Sequence, residues 1–146
     1  VKQAVASLGE IHFWRIAIKP GKPVAFGKIS TTLGNTPFIG LPGNPVSVLI
    51  TFLLLARNFL QRLQHQEPKN PKGIIAKANF TWKKNPQRQE YLRAKTNTEG
   101  TIDIYPNQSS GVLSSTSWAE GLVVVPIATP IAHGDPVQFI SFNEFF

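Results

Sequence analysis

The 146-residue sequence predicts an α/β unit followed by a small all-β barrel domain. Three observations carry that prediction. The stretch Gln66-Glu67-Pro68-Lys69-Asn70-Pro71-Lys72-Gly73, polar and broken by two prolines and a glycine, divides the chain. Before it, short apolar runs lead into a long helical pattern that opens at Asn44-Pro45. After it, alternating segments follow one another closely, with turn residues between them. The expected organisation is an α/β domain over residues 1–66, a linker over 67–73 and a barrel over 74–146.

Taken in order, Val1 to Leu8 reads as the tail of a helix stopped by Gly9. Ile11 to Lys19 alternates, with Ile11, Phe13, Arg15, Ala17 and Lys19 on one face. If a single strand runs that whole length, Arg15 and Lys19 point the same way. Val24–Ile29 and Pro37–Leu41 read as short apolar strands, the second apolar enough to be covered on both faces. A helix from about Pro45 to Gln64 has Asn44 as N-cap and Pro45 as its first residue.

In the second half, Ile74–Trp82 and Gln87–Lys95 flank Lys83-Lys84-Asn85-Pro86 and read as a hairpin. Thr101–Tyr105, Gly111–Leu113, Gly121–Pro126 and Pro136–Phe142 complete six strands, with Ser114–Glu120 read as a connecting loop.

A hydrophobic content of 42% is enough for a real core. The absence of Cys excludes disulfides, thiolate metal sites and cysteine nucleophiles within this stretch. The absence of Met, with a start at Val1, gives the expectation that this is a piece of a longer chain. No signal pattern opens the chain, and the apolar run Val48–Ala56 is shorter than a membrane span. A soluble protein is expected.

The net charge of +7 is placed unevenly: residues 1–70 hold 8 Lys and Arg against 2 Asp and Glu, and residues 71–146 hold 7 against 6. A cationic first half points to an anionic partner. His12, His65 and His133 share no ligand spacing, so no metal site is expected within this chain. The acidic residues form no close pair, and no Gly-x-Ser-x-Gly, Walker or Gly-x-Gly-x-x-Gly motif is present.

Two turns stand out. In Pro42-Gly43-Asn44-Pro45 the prolines fix φ, Gly43 permits close backbone approach, and the following helix offers free N–H groups to an oxyanion. An ordinary start to a buried helix fits the same residues, and spacing alone does not separate the two. The turn Pro20-Gly21-Lys22-Pro23 has the same shape and adds a cation beside Arg15 and Lys19. The loop Gln108-Ser109-Ser110-Gly111 offers hydroxyls, although such loops are ordinary turn chemistry. Phe80-Thr81-Trp82-Lys83-Lys84 interleaves aromatics with lysines as stacking platforms do, and a barrel core with a solvated turn explains it more simply.

With these residues in hand a resemblance emerges. Ile16-Ala17-Ile18-Lys19-Pro20-Gly21-Lys22-Pro23-Val24-Ala25-Phe26-Gly27 and Gly40-Leu41-Pro42-Gly43-Asn44-Pro45-Val46-Ser47 resemble the MoeA/gephyrin family of molybdopterin molybdenumtransferases. Tyr91-Leu92-Arg93-Ala94, Gln108 to Ser115 and Gly121 to Pro126 are similar to that family's C-terminal barrel, in the same order.

The resemblance implies that residues 1–66 are half of a molybdopterin-binding αβα sandwich. It also implies a cytoplasmic homodimer that inserts molybdate into adenylylated molybdopterin and releases AMP, assisted by Mg²⁺. Arg15, Lys19 and Lys22 would be the catalytic cations. Pro20, Gly21, Pro42, Gly43, Asn44, Pro45, Ser47 and Ser110 would bind the molybdopterin substrate. The Mg²⁺ ligands would lie upstream of Val1, leaving the isolated chain inactive. Arg15 stands where the family often has Lys. The alternatives are a non-catalytic anion-binding or scaffold module and nonspecific nucleic-acid binding, the latter disfavoured by the near-balanced charge of the second half.

Overall fold

In the computed structural model residues 2–68 and 70–146 are described, and the side chains of Lys2, Phe13, Trp14 and Arg15 lie outside the described set. A one-and-a-half-turn helix, Lys2–Ala6, precedes β1 (Gly9–Arg15), β2 (Ile18–Lys19), β3 (Pro23–Thr31) and β4 (Gly34–Gly40). Strands β1, β3 and β4 form an antiparallel sheet in the order β1-β3-β4.

The alternation over Ile11–Lys19 belongs to two strands, not one. β1 ends at Arg15, opposite Pro23 of β3, whereas Ile18 and Lys19 pair in parallel with Gln89 and Glu90 in the second sheet. Arg15 and Lys19 therefore share no strand face. The reason is local: Pro20 has no N–H to continue a ladder, and Ala17 instead accepts the N–H of Gln89 at 2.9 Å. β4 is likewise not covered on both faces; it is an edge strand whose first four residues are exposed.

The helix that follows runs Pro45–Leu63. Pro45 stands at its first position, where a missing N–H costs nothing. Thr51 donates its hydroxyl to the Ser47 carbonyl at 2.7 Å, and a π-turn occupies Phe52–Ala56 immediately after. At 19 residues this helix is long and apolar enough to cross a membrane by length and composition alone, as the core helix of a globular domain can also be. Here Val46 and Ile50 pack against Leu122, and Leu53 packs with Ile140 and Phe145.

The second sheet contains β5 (Ile74–Lys77), β6 (Gln89–Thr96), β7 (Ile102–Ile104), β8 (Gly121–Val125) and β9 (Pro136–Ser141). Its order is β2-β6-β8-β9-β5, with β7 on β6. The isolated bridge Ala78–Ile102 brings the chain beyond β5 alongside β7. One bridge is not a ladder, so the barrel-like sheet curls without closing among the described residues. Its inner face is filled by Phe80, Leu92, Ile102, Val123, Val125 and Phe139. Because side chains alternate along β8, Leu122 faces the helix while its neighbour Val123 faces this inner core.

Two further expectations are corrected. β5 pairs with β9, not β6, so Lys83–Pro86 closes no hairpin. Gly111–Leu113 is not a strand; a short helix follows it at Ser114–Trp118. Ser115 and Thr116 donate their hydroxyls to the carbonyls of Val112 and Leu113, a local pattern that winds this serine-rich segment.

Candidate functional site

The parallel pairing of β2 with β6 sets Lys19 directly beside Glu90. Lys19 Nζ lies 2.7 Å from Glu90 Oε1, and Trp82 Nε1 donates to Glu90 Oε2 at 2.7 Å. Glu90 is only 3% exposed. Its burial alone would raise the carboxyl pKa. The hydrogen bonds from Lys19 and Trp82, the Lys19 charge and a hydrogen bond with Asn85 outweigh burial and hold it below the ordinary value.

Beyond Lys19, the Pro20-Gly21 turn is pressed against the helix. Gly21 has φ +123°, and a Cβ there would stand 2.4 Å from Thr51 Cγ2. Only glycine combines that dihedral with that approach. Thr51 is itself bonded to the carbonyl of Ser47, one turn back. This contact carries the first turn to the beginning of the helix.

The result is a cleft of about 380 Å³ lined by Lys19, Pro20, Gly21, Lys22, Ser47, Arg88, Gln108, Ser109 and Ser110. Lys22 and Arg88 form no ion pair among the described residues. Six expected site residues thus share one cleft: Lys19, Pro20, Gly21, Lys22, Ser47 and Ser110. Pro42, Gly43, Asn44 and Pro45 do not line it. Gly43 is exposed with open space at its Cβ position, so nothing among the described residues demands glycine there. Asn44 has the expected N-cap backbone, yet its side chain makes no cap bond and its Oδ1 is buried without a partner. The side chain of Arg15 falls outside the described residues.

Sequence reasoning assigned no role to Arg88, and it used Gln108 and Arg93 only as parts of motifs. Arg93 is 1% exposed and lies beneath the serine loop. It donates from Nε to Ser115 Oγ at 3.1 Å and from Nη2 to the Ser109 carbonyl at 3.1 Å. Gln108 completes the clamp, accepting the Arg93 backbone N–H and returning its own amide to the Arg93 carbonyl, both at 2.9 Å. Nη1 is buried without a partner. Burial lowers the guanidinium pKa to about 10, which leaves it charged at neutral pH. The available signal was an arginine among the apolar residues of a strand, where a charge is kept only for a reason.

No group of three or more His, Asp and Glu positioned for a metal occurs among the described residues. The cleft does not fit Mg²⁺: a hard cation wants carboxylate oxygens, and the nearby Glu90 is engaged by Lys19 and Trp82.

Two family models match separate regions of the chain. A model described as a probable molybdopterin binding domain matches residues 1–62, and the MoeA C-terminal region (domain IV) matches residues 76–142. A molybdopterin molybdenumtransferase of Haemophilus influenzae is 42% identical over 106 residues, covering 70% of this chain and 25% of the relative. One of Nostoc is 27% identical over 148 residues, covering 97% and 34%. The chain therefore spans about a quarter to a third of these relatives. In fold it is similar to a molybdenum cofactor biosynthesis protein from Pyrococcus furiosus, with TM-score 0.73, 20% identity and coverage of 92% of this chain and 46% of that one. It is also similar to the molybdopterin biosynthesis moeA protein of Pyrococcus horikoshii, with TM-score 0.71, 22% identity and coverage of 91% and 33%. Together the two matched regions, their order and the shared fold establish that this chain belongs to the MoeA/gephyrin family.

Proposed function

We propose that the full-length protein carrying this chain is a cytoplasmic, homodimeric molybdopterin molybdenumtransferase that inserts molybdate into adenylylated molybdopterin with release of AMP. The observation that carries this reading is the gathering of Lys19, Lys22 and Arg88 with Ser47, Ser109 and Ser110 around one cleft. We also propose the division into residues 1–66 and 74–146 across a linker at 67–73, which the two matched regions support.

In this reading Lys22 and Arg88 neutralise the charge of the phosphate or oxyanion, and the serine hydroxyls hydrogen-bond it. Lys19 is held by Glu90 and offers its remaining N–H donors to the same ligand. Arg93 acts through the loop, keeping Ser109 and Ser110 in place. The open space at Gly43 and the unpaired Asn44 oxygen, next to Pro42 and Pro45, suit a ligand that extends toward the helix start. Arg15 is assigned to the same cationic set. Positioning and charge neutralisation suffice for this chemistry, so no protein nucleophile is invoked. Any Mg²⁺ is assigned to residues upstream of this chain.

The test is turnover by the full-length protein. Formation of molybdenum cofactor from adenylylated molybdopterin and molybdate, with AMP released in equal amount, is expected; no turnover would remove the reading. A second reading, a non-catalytic interaction module, draws on one observation. An apolar groove of about 400 Å³ lies between β4 and the helix, lined by Ile39, Leu41, Phe59, Leu60 and Leu63 among others. It is favoured only if turnover is absent while a partner protein protects the groove from labelling.

A further inference from the structure

Lys83–Pro86 closes no hairpin, yet the residues after it are tightly tied. Asn85 Oδ1 accepts the N–H groups of Gln87 at 3.0 Å and Arg88 at 3.2 Å, and the Ala17 carbonyl accepts that of Gln89 at 2.9 Å. Three consecutive N–H groups are thereby fixed. The sequence favours this turn, because an asparagine oxygen reaches the backbone two residues on and Pro86 supplies a preset φ between them. Asn85 is itself held from two sides. Its carbonyl accepts the N–H of Ala128 at 2.8 Å, and Ala128 has φ +58°, a conformation that alanine keeps only where its surroundings impose it. With the amide oxygen given to two backbone donors, the amide NH2 is left for buried Glu90, to which Asn85 is also hydrogen-bonded.

Arg88 needs such a frame. It lines the cleft with Lys19 and Lys22 but forms no ion pair among the described residues, so its long side chain is aimed by the backbone that carries it. A cation already directed at its ligand loses less freedom on binding. We infer that Asn85 is a positioning residue for this cleft, its side-chain oxygen setting the turn from which Arg88 reaches the anion. The inference deepens the reading above and rests on it for the anion, not for the turn.

The experiment compares the full-length protein with its N85A, N85S, R88A and N85A/R88A variants and the control N97A. Asn97 Oδ1 accepts the N–H groups of Glu99 and Thr101, both at 3.0 Å, so N97A removes the same kind of turn elsewhere in the barrel. Calorimetry reads molybdate affinity, and NMR reads the order of the Arg88 side chain from its Nε–H resonance, assigned by its absence in R88A. N85A is expected to weaken molybdate binding at least ~5-fold in the wild-type background and less than ~2-fold in R88A, because Asn85 acts through Arg88. It is also expected to lower the order of Arg88. N85S offers a hydroxyl to the same N–H groups and is expected to fall between wild type and N85A in both readouts. N97A is expected to leave Arg88 order unchanged and affinity within ~2-fold.

Unchanged Arg88 order in N85A overturns the inference, as does an equal loss of order in N97A, which would mark general loosening. The same loss of affinity from N85A with and without Arg88 also overturns it, since Asn85 would then act by another route. N85S no better than N85A removes the side-chain oxygen as the cause. A wild-type protein that binds no molybdate removes the reading of the cleft, and Arg88 order in N85A against N97A then decides the role of Asn85 by itself.

Discussion

Lys19 and Glu90 are backbone neighbours in a parallel pair and side-chain partners at 2.7 Å, with Glu90 at 3% exposure. Removing the lysine leaves a buried carboxylate held only by the neutral donors of Trp82 and Asn85. K19A is expected to lose about 1–2 kcal/mol of stability, discounted because the lysine side chain is 45% exposed. K19A/E90Q is expected to recover part of that loss, since no buried charge remains. Urea unfolding of both variants checks this.

The same pair sets an acid limb to stability. The Glu90 carboxyl titrates below its ordinary value of 4.5, so the native state favours the charged form. Its contribution is present above about pH 4.5 and is lost as pH falls through the lower native value. E90Q is expected to flatten this part of the stability profile between pH 5 and pH 3, measured by denaturant titration at each pH; an unchanged slope would contradict it.

Gly21 and Thr51 meet where the first turn touches the helix. G21A places a Cβ 2.4 Å from Thr51 Cγ2 at a φ of +123°, and a loss of about 2–3 kcal/mol is expected. T51S removes Cγ2 and keeps the hydroxyl bonded to Ser47. The double variant G21A/T51S is therefore expected to be less destabilised than the sum of the two single changes, read as a double-mutant cycle by thermal unfolding.

Arg93 clamps the serine loop. R93M is expected to cost about 2–4 kcal/mol, because Ser115 and the Ser109 carbonyl lose charged donors in a buried setting. Amide exchange at Ser109 and Ser110 is expected to accelerate more than exchange in β8. Uniform acceleration across the sheet would show that the arginine serves the core and not the loop.

The helix was readable because Asn44-Pro45 and a 3.6-residue pattern act locally, and its extent agrees within a residue. Strand partners were not. Alternation over Ile11–Lys19 reports exposure at each residue but not which sheet receives it, and Lys19 finds its neighbour Glu90 some 71 positions later. The edge character of β4 and the absent hairpin at Lys83–Pro86 fail for the same reason, since pairing is non-local. The serine run at 114–118 hid a helix because its hydroxyls, expected in loops, bond back to Val112 and Leu113.

Lys19, Pro20, Gly21, Lys22, Ser47 and Ser110 line one cleft whereas the Pro42–Pro45 turn does not, because local backbone chemistry identifies a turn but not what packs against it. Arg88 went unnoticed as an ordinary strand flank. Arg93, inside a strand, shows its purpose only once Gln108 and Ser109 fold over it.

The central claim is that the cleft shared by Lys22, Arg88 and Ser110 receives the anionic substrate. Its most direct test is molybdate-dependent cofactor formation by the full-length protein bearing K22A, R88A or S110A, with K72A as a distant control. Each cleft variant is expected to lose at least ~10-fold in kcat/KM, about 1.4 kcal/mol of transition-state stabilisation, while K72A stays within ~2-fold. Wild-type rates in all three cleft variants, with their folds intact, would contradict it.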